Sequence, residues 1–269
     1  MLLIASIFGL IFGSFVSALV WRLKTQESSK KSTKELSVIS GRSMCPLCKH
    51  MLSAKDLVPV ISWLSLRGKC RYCQKPISWQ YPLIELVTAT AFGLSFAYWP
   101  RELVGTLELT LFGLWLASVV CFIALAVYDA KWMLLPDKIM RPLVALSLLG
   151  VVLAAFIDGP NTLRDRLFGV AAAFGFFYVL AWASKGKWIG GGDVKFGLVI
   201  GLWLGLAKSV VAVLLAFYSA AAVILPLLAL KKVTKRSKIA FGPFLIAATF
   251  FAKLFGDGIF EWYKSLIGY

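Results

Sequence analysis

Leu2-Leu3-Ile4-Ala5-Ser6-Ile7-Phe8-Gly9-Leu10-Ile11-Phe12-Gly13-Ser14-Phe15-Val16-Ser17-Ala18-Leu19-Val20 is an apolar run without a charge that stops at Trp21-Arg22. About 20 such residues suffice to carry a helix across the hydrocarbon of a bilayer. No basic residue precedes the run, whereas 12 Lys or Arg lie between positions 22 and 82. A cleaved secretory signal has the reverse polarity, with a positive start and a small-residue cleavage site. The segment 1–21 is therefore expected to be a retained first transmembrane helix, its N-terminus outside and its other end in the cytoplasm.

Outward from that run the pattern repeats. Apolar stretches at 83–99, 104–127, 142–157, 165–183, 194–206, 208–230 and 241–256 bring the expected count to about eight transmembrane helices. Alternation places the loops 22–82, 128–141, 184–193 and 231–240 in the cytoplasm, where, with Lys195 at an edge, they hold 12, 3, 3 and 5 Lys or Arg, 23 of the 29 in the chain. That matches the positive-inside bias. In a seven-span alternative without a separate 194–206 helix, Lys231, Lys232, Lys235, Arg236 and Lys238 would lie outside, against the rule. The fold class is an all-α polytopic membrane protein, divided into the first helix (1–21), a cytoplasmic loop (22–82) and a seven-helix membrane domain (83–269).

Composition agrees. Of 269 residues, 59% are hydrophobic and 16% charged, against about 45–50% and roughly 25% in soluble domains. Disorder and a small secreted disulfide scaffold are excluded by the 20 Phe and 10 Trp. The net charge of +16 raises nucleic acid as a partner, but topology accounts for most of it and no binding motif accompanies it, so none is expected. The polar run Lys24 to Ser32 is expected to act as a tether, with structure resuming near Gly41.

Within the loop, Cys45-Pro46-Leu47-Cys48 and Cys70-Arg71-Tyr72-Cys73 form two C-x-x-C knuckles. Each turns two thiolates toward one point, and together they make a four-sulfur structural zinc site. A disulfide pair fits poorly in a cytoplasmic loop, and no βαβ pattern supports a redox motif. The loop is too small for a core of its own, so the metal would supply folding free energy. Cys121, inside the third span, reads as a packing residue, and His50, the single histidine, as a loop residue near the knuckles.

Two acids stand at cytoplasmic helix ends. Asp129 closes the run 104–127, and Asp193 follows Gly190-Gly191-Gly192 and precedes Val194-Lys195. Carboxylates at membrane level are costly and tend to be functional. A close pair would share one proton, so that one acid activates water while the other donates to a scissile carbonyl. The glycines before Asp193 would admit an extended substrate and permit unusual φ values. The plainer readings are that Asp193 N-caps the next helix and that Asp129 pairs with Lys131. Asp137 is a rival partner, and Glu85 a further polar contact just inside the second span.

Taken in order, Phe12-Gly13-Ser14-Phe15, Gly41-Arg42-Ser43-Met44-Cys45-Pro46-Leu47-Cys48, Asp56-Leu57-Val58-Pro59, Arg67 to Cys73, Tyr81-Pro82-Leu83-Ile84-Glu85, Tyr128-Asp129 through Leu135-Pro136-Asp137, Gly190 to Lys195 and Phe241-Gly242-Pro243-Phe244 resemble the type IV prepilin peptidase family. The resemblance implies a GxGD-type aspartyl endopeptidase of the bacterial cytoplasmic (inner) membrane, with Asp129 and Asp193 as its catalytic pair and Gly190, Gly192 and Lys195 as supporting motif residues. It implies zinc on Cys45, Cys48, Cys70 and Cys73. Its substrates would be prepilins and pseudopilins with short basic leaders, cut at the cytoplasmic face beside the membrane lipid. S-adenosylmethionine would serve as methyl donor for N-methylation of the new terminus. The competing class is an ion or solute transporter with intramembrane carboxylates and a zinc docking module.

Overall fold

The computed structural model describes residues 1–29, 41, 43–234 and 239–266. Arg42, Lys235, Arg236 and Lys238, which entered the motif and charge readings, lie outside them. The chain divides into two compact units, Met1–Ala97 and Tyr98–Tyr269.

In the first unit, α1 (Leu2–Ser29) and α3 (Gln80–Ala97) pack as a pair, with the knuckle region and the short helix α2 (Ile61–Ser65) between them in sequence. Gly9 and Gly13, one turn apart on α1, let the two backbones touch. A Cβ at either would come within 2.6 Å of a Cα of α3, at Ala89 and Glu85 respectively. Small residues at this spacing are how helices approach closely where lipid offers no hydrophobic drive.

The expected tether is corrected here: Lys24–Ser29 continue α1 as helix. Extending a formed helix costs far less than starting one. Thr25 Oγ1 donates to the Trp21 carbonyl at 2.8 Å, and Lys24 pairs with Glu27 at 3.3 Å. Lys30, Lys31 and Ser32 lie outside the described residues.

The second unit is built from α4 (Thr106–Trp132), α5 (Asp137–Asp158), α6 (Asn161–Ala183), α7 (Gly191–Ala229) and α8 (Gly242–Leu266). Left-handed Met133 (φ 54°) ends α4, and Pro136 at the N-cap starts α5. Among the described residues, six helices are long and apolar enough to cross a membrane: α1, α4, α5, α6, α7 and α8. The expected span at 83–99 corresponds to α3, whose 18 residues include Gln80 and Glu85 and which is not among these six.

The 39 residues of α7 cover both spans expected at 194–206 and 208–230, and they break at Gly205 (φ 76°, ψ −173°). Before the break α7 runs against α6, with Gly197 at Ala173 and Phe177, Gly201 at Val170, and Gly205 at Asp165 and Gly169. After it, Phe217 has returned to the level of Phe176, their rings 6.0 Å apart. The chain thus doubles back at Gly205, and the two halves are antiparallel segments that correspond to the two expected spans.

The broken end leaves backbone carbonyls without helical donors. Arg166 donates to the Trp203 carbonyl at 2.6 Å, and Lys253 of α8 approaches the same oxygen at 3.5 Å. The Lys253 ammonium is enclosed by the rings of Trp99, Trp115 and Trp203, 5.1 to 5.9 Å from their centroids, an arrangement that lowers the cost of a buried cation. Below this cage, the Phe122 and Phe196 rings meet at 5.5 Å between α4 and α7. Phe122 lies two turns before Asp129 and Phe196 one turn after Asp193, so this contact fixes the two acidic helix ends relative to each other.

Candidate active site and metal centre

Asp129 lies in the last turns of α4 and is buried, 6% exposed. Its carboxylate accepts a hydrogen bond from the Gly242 amide at 3.0 Å. That amide opens α8, so the acid sits on a helix N-terminus, where donors and the helix dipole favour negative charge. A Cβ at Gly242 would stand 2.6 Å from Asp129 Oδ2, which restricts the position to glycine.

Asp193 occupies the third position of α7, and its carboxylate accepts from the backbone amide of Gly190, the N-cap. The capping reading of Asp193 is thus met in part, with the helix starting at Gly191 rather than Val194. Asp193 is also within electrostatic reach of Asp129. Each acid is held at a helix start through one backbone amide, and the two lie within electrostatic reach. Such a pair can hold and polarise a water.

The glycines act through space and not through unusual dihedrals, which corrects the expectation from sequence. Gly190 is extended (φ −73°, ψ 149°), and Gly190, Gly191 and Gly192 all avoid positive φ. Gly192 is pressed against Leu135, 2.9 Å from where its Cβ would be, whereas Gly191 faces open space. Lys195 donates to Asp137 at 2.6 Å. This contact ties the start of α7 to the start of α5 and engages Asp137 away from the acid pair. Among the described ion pairs none joins Asp129 to Lys131.

The four cysteines converge. The sulfurs of Cys45, Cys48, Cys70 and Cys73 all lie within 4.8 Å of one another. A tetrahedral ion with bonds of about 2.3 Å to sulfur needs edges of about 3.8 Å, so the set fits a four-thiolate metal with small adjustments. The two knuckles are built alike: the amides of Cys45 and Cys70 donate to the carbonyls of His50 and Lys75, and those of Lys49 and Gln74 return to Cys45 and Cys70. Both turns close on a left-handed residue, Lys49 (φ 57°) and Gln74 (φ 56°). This structural repeat was not visible in the sequence beyond the cysteines.

Burial opposes ionisation of Cys45, yet the amides of Cys48 and Leu47 and the thiols of Cys48 and Cys70 hold it down to about 7. The His50 amide donates to Cys48, but burial and the neighbouring Cys45 and Cys73 push that thiol up to about 11.

His50 is a knuckle residue, its ring 3.7 Å from that of Tyr72. Asp56 joins the knuckles to the rest of the module: Ser53, Arg71 and Tyr72 donate to it, Arg71 at 2.7 Å. Burial alone would raise this acid, but those donors outweigh it and hold it down to about 2. Glu85, the expected polar contact, accepts from the Val60 amide at 2.7 Å and from Ser14. Cys121 is partly buried in α4, apart from the cluster. Sequence reasoning placed Gly242 in a matching segment without its contact to Asp129 and missed Gly205 and Lys253 as site-shaping residues; a lysine inside an apolar helix was an available signal.

By class this is a helical membrane protein with two acids within electrostatic reach of each other and a four-cysteine cluster that could hold a metal ion. The chain belongs to the type IV leader peptidase family. The family model of that description matches residues 116–225, and the bacterial peptidase A24 N-terminal domain matches residues 7–99. The chain is 33% identical to a prepilin leader peptidase/N-methyltransferase of Aeromonas hydrophila over 96% of its own length and 92% of that protein. It is 36% identical to the protein of the same name from Bacillus subtilis (strain 168), over 99% of both chains. It is 34% identical to a type 4 prepilin-like proteins leader peptide-processing enzyme of Escherichia coli O78:H11 (strain H10407 / ETEC), over 75% of this chain and 76% of that one. No solved structure matches it.

Proposed function

We propose that the chain is a prepilin leader peptidase that cleaves prepilins and pseudopilins after a short basic leader and N-methylates the new amino terminus. The observation that carries the peptidase reading is the pair Asp129 and Asp193, each seated on a helix N-terminus and each within the field of the other. In the proposed reaction, the ionised member of the pair takes a proton from water as the oxygen adds to the scissile carbonyl. The protonated member gives its proton to the carbonyl oxygen. Collapse of the tetrahedral species breaks the C–N bond, with proton return to the leaving amine. The two acids titrate as one coupled unit.

Cys45, Cys48, Cys70 and Cys73 are proposed to hold a structural zinc, since four thiolates saturate a tetrahedral ion and leave no open position. S-adenosylmethionine is the proposed methyl donor, on the strength of the relatives' names. The protein is proposed to lie in the bacterial cytoplasmic membrane with both termini outside and the zinc module cytoplasmic, following the basic loops. The acids sit at helix ends, whereas transport sites lie near the membrane midplane, so nothing favours the transporter alternative.

The test is incubation of the purified protein in detergent with a synthetic prepilin and isotopically labelled S-adenosylmethionine, followed by mass spectrometry. The expected product is the mature peptide carrying one labelled methyl at its N-terminus. An intact prepilin would refute the peptidase reading, and a cleaved but unlabelled product would refute the methyl transfer.

A further inference from the structure

The zinc module carries an apolar edge at a depth where a water-soluble domain would not place one. Leu57, Val58, Ile61 and Leu64 are 39%, 41%, 65% and 61% exposed, and Trp79, just before α3, is 67% exposed. Ile61 and Leu64 stand three apart on α2 and so share one helix face. Exposed Lys55 and Arg67 bracket the stretch. From 43 to 79 the sequence has six basic residues, all exposed, and one acid, Asp56, which is paired with Arg71.

The height of this edge is set by one buried group. Ile61 donates its amide to the Pro59 carbonyl at 2.5 Å across Val60, which stands at φ 61°, ψ −50°. This is a γ-turn of positive φ, a strained conformation, and costlier still for a β-branched residue. Such strain persists only where the surroundings impose it. Here Glu85 of α3 accepts the Val60 amide, with Ser14 of α1 on the same carboxylate. Glu85 is five residues inside α3, about 7.5 Å along the helix axis. At that level α3 exposes the apolar side chains of Leu83, Leu86 and Val87. Val60 is therefore anchored below the start of α3, the helix that carries the expected span 83–99, and Ile61 and Leu64 follow directly from it.

We propose that the 57–64 edge and Trp79 form a lipid-binding surface that inserts into the headgroup and acyl boundary of the bilayer, with the surrounding Lys and Arg against anionic phosphates. Amphipathic elements of this kind rest about 5–10 Å into that boundary, the depth that Glu85 imposes. Basic residues near an anionic leaflet add attraction, and Trp at the interface is typical of such anchors. The module is thus a monotopic element held at the surface by its own side chains, and its charge selects an anionic leaflet.

The test uses the zinc-loaded full chain with Cys121→Ala, carrying Ile61→Cys or Leu64→Cys with a nitroxide, in phosphatidylglycerol-containing nanodiscs. Relaxation by oxygen and by a water-soluble nickel chelate reports depth, with Lys75→Cys as the label in water. Labels at 61 and 64 are expected about 5–10 Å below the phosphates, oxygen-sensitive and shielded from nickel, and shallower in discs of phosphatidylcholine alone. Nickel access equal to that at 75 would overturn the proposal. So would shielding that arises only when a prepilin peptide is added, which would assign the edge to substrate. Equal depth in both lipids would refute the role of the basic residues.

Discussion

Gly242 decides whether Asp129 can keep its hydrogen bond to the start of α8, because a methyl there would overlap the carboxylate. Gly242→Ala is expected to push Asp129 out of register with Asp193 and to lower the cleavage rate at least tenfold, in the range lost when reacting groups shift by about 1 Å. Helix content by circular dichroism should stay unchanged. Asp56 is the residue with a readable pH signature. Its folded value of about 2 is depressed from 3.8, so its donors stabilise the module above pH 4, and that contribution is lost as pH falls toward 2. The gap in thermal midpoint between wild type and Asp56→Asn should be constant above pH 4 and should close below it. A gap that widens in acid would contradict the assignment. Both acids of the proposed pair and all four thiols were legible from sequence, because charge at membrane level and C-x-x-C spacing are rare enough to stand out. Gly242 was legible only as part of the segment Phe241-Gly242-Pro243-Phe244 and not by its role, since its partner is 113 residues away.

Among the elements, α7 carries the most information. Charge alone required two crossings between 194 and 230, while the unbroken apolar composition of Leu202-Trp203-Leu204-Gly205-Leu206-Ala207 suggests one helix. The structure satisfies both by reversing at a single glycine, whose dihedrals lie in a region essentially confined to glycine. Gly205→Ala should destabilise the protein by about 1–3 kcal/mol from the backbone alone, and by more because the methyl would meet Asp165. Thermal unfolding in detergent measures this, and an unchanged midpoint would mean that the chain does not turn there. The misread element was the end of α1. Its polar residues look like a linker by composition, but a helix already formed across the membrane extends through them at little cost.

For the whole molecule, the two units separate the two proposed sites, the four-cysteine cluster in Met1–Ala97 and the pair Asp129 and Asp193 in Tyr98–Tyr269. The sequence boundaries at 21 and 82 follow the membrane surface, whereas the compact units follow packing, which groups α3 with α1 through Gly9 and Gly13. Metal analysis of the purified chain should find a single zinc. Cys70→Ser should abolish it and leave residues 43–79 open to proteolysis, because a segment of this size has no core to replace the ion. Retained metal in that variant would remove Cys70 from the ligand set.

The most direct measurement is cleavage of a synthetic prepilin by Asp129→Asn and Asp193→Asn, each compared with the wild-type chain in the same membrane. Both variants are expected to insert normally, and neither should release leader peptide. Each should still methylate a mature peptide supplied already cleaved. Substantial cleavage by either variant would contradict the acid pair as the catalytic centre.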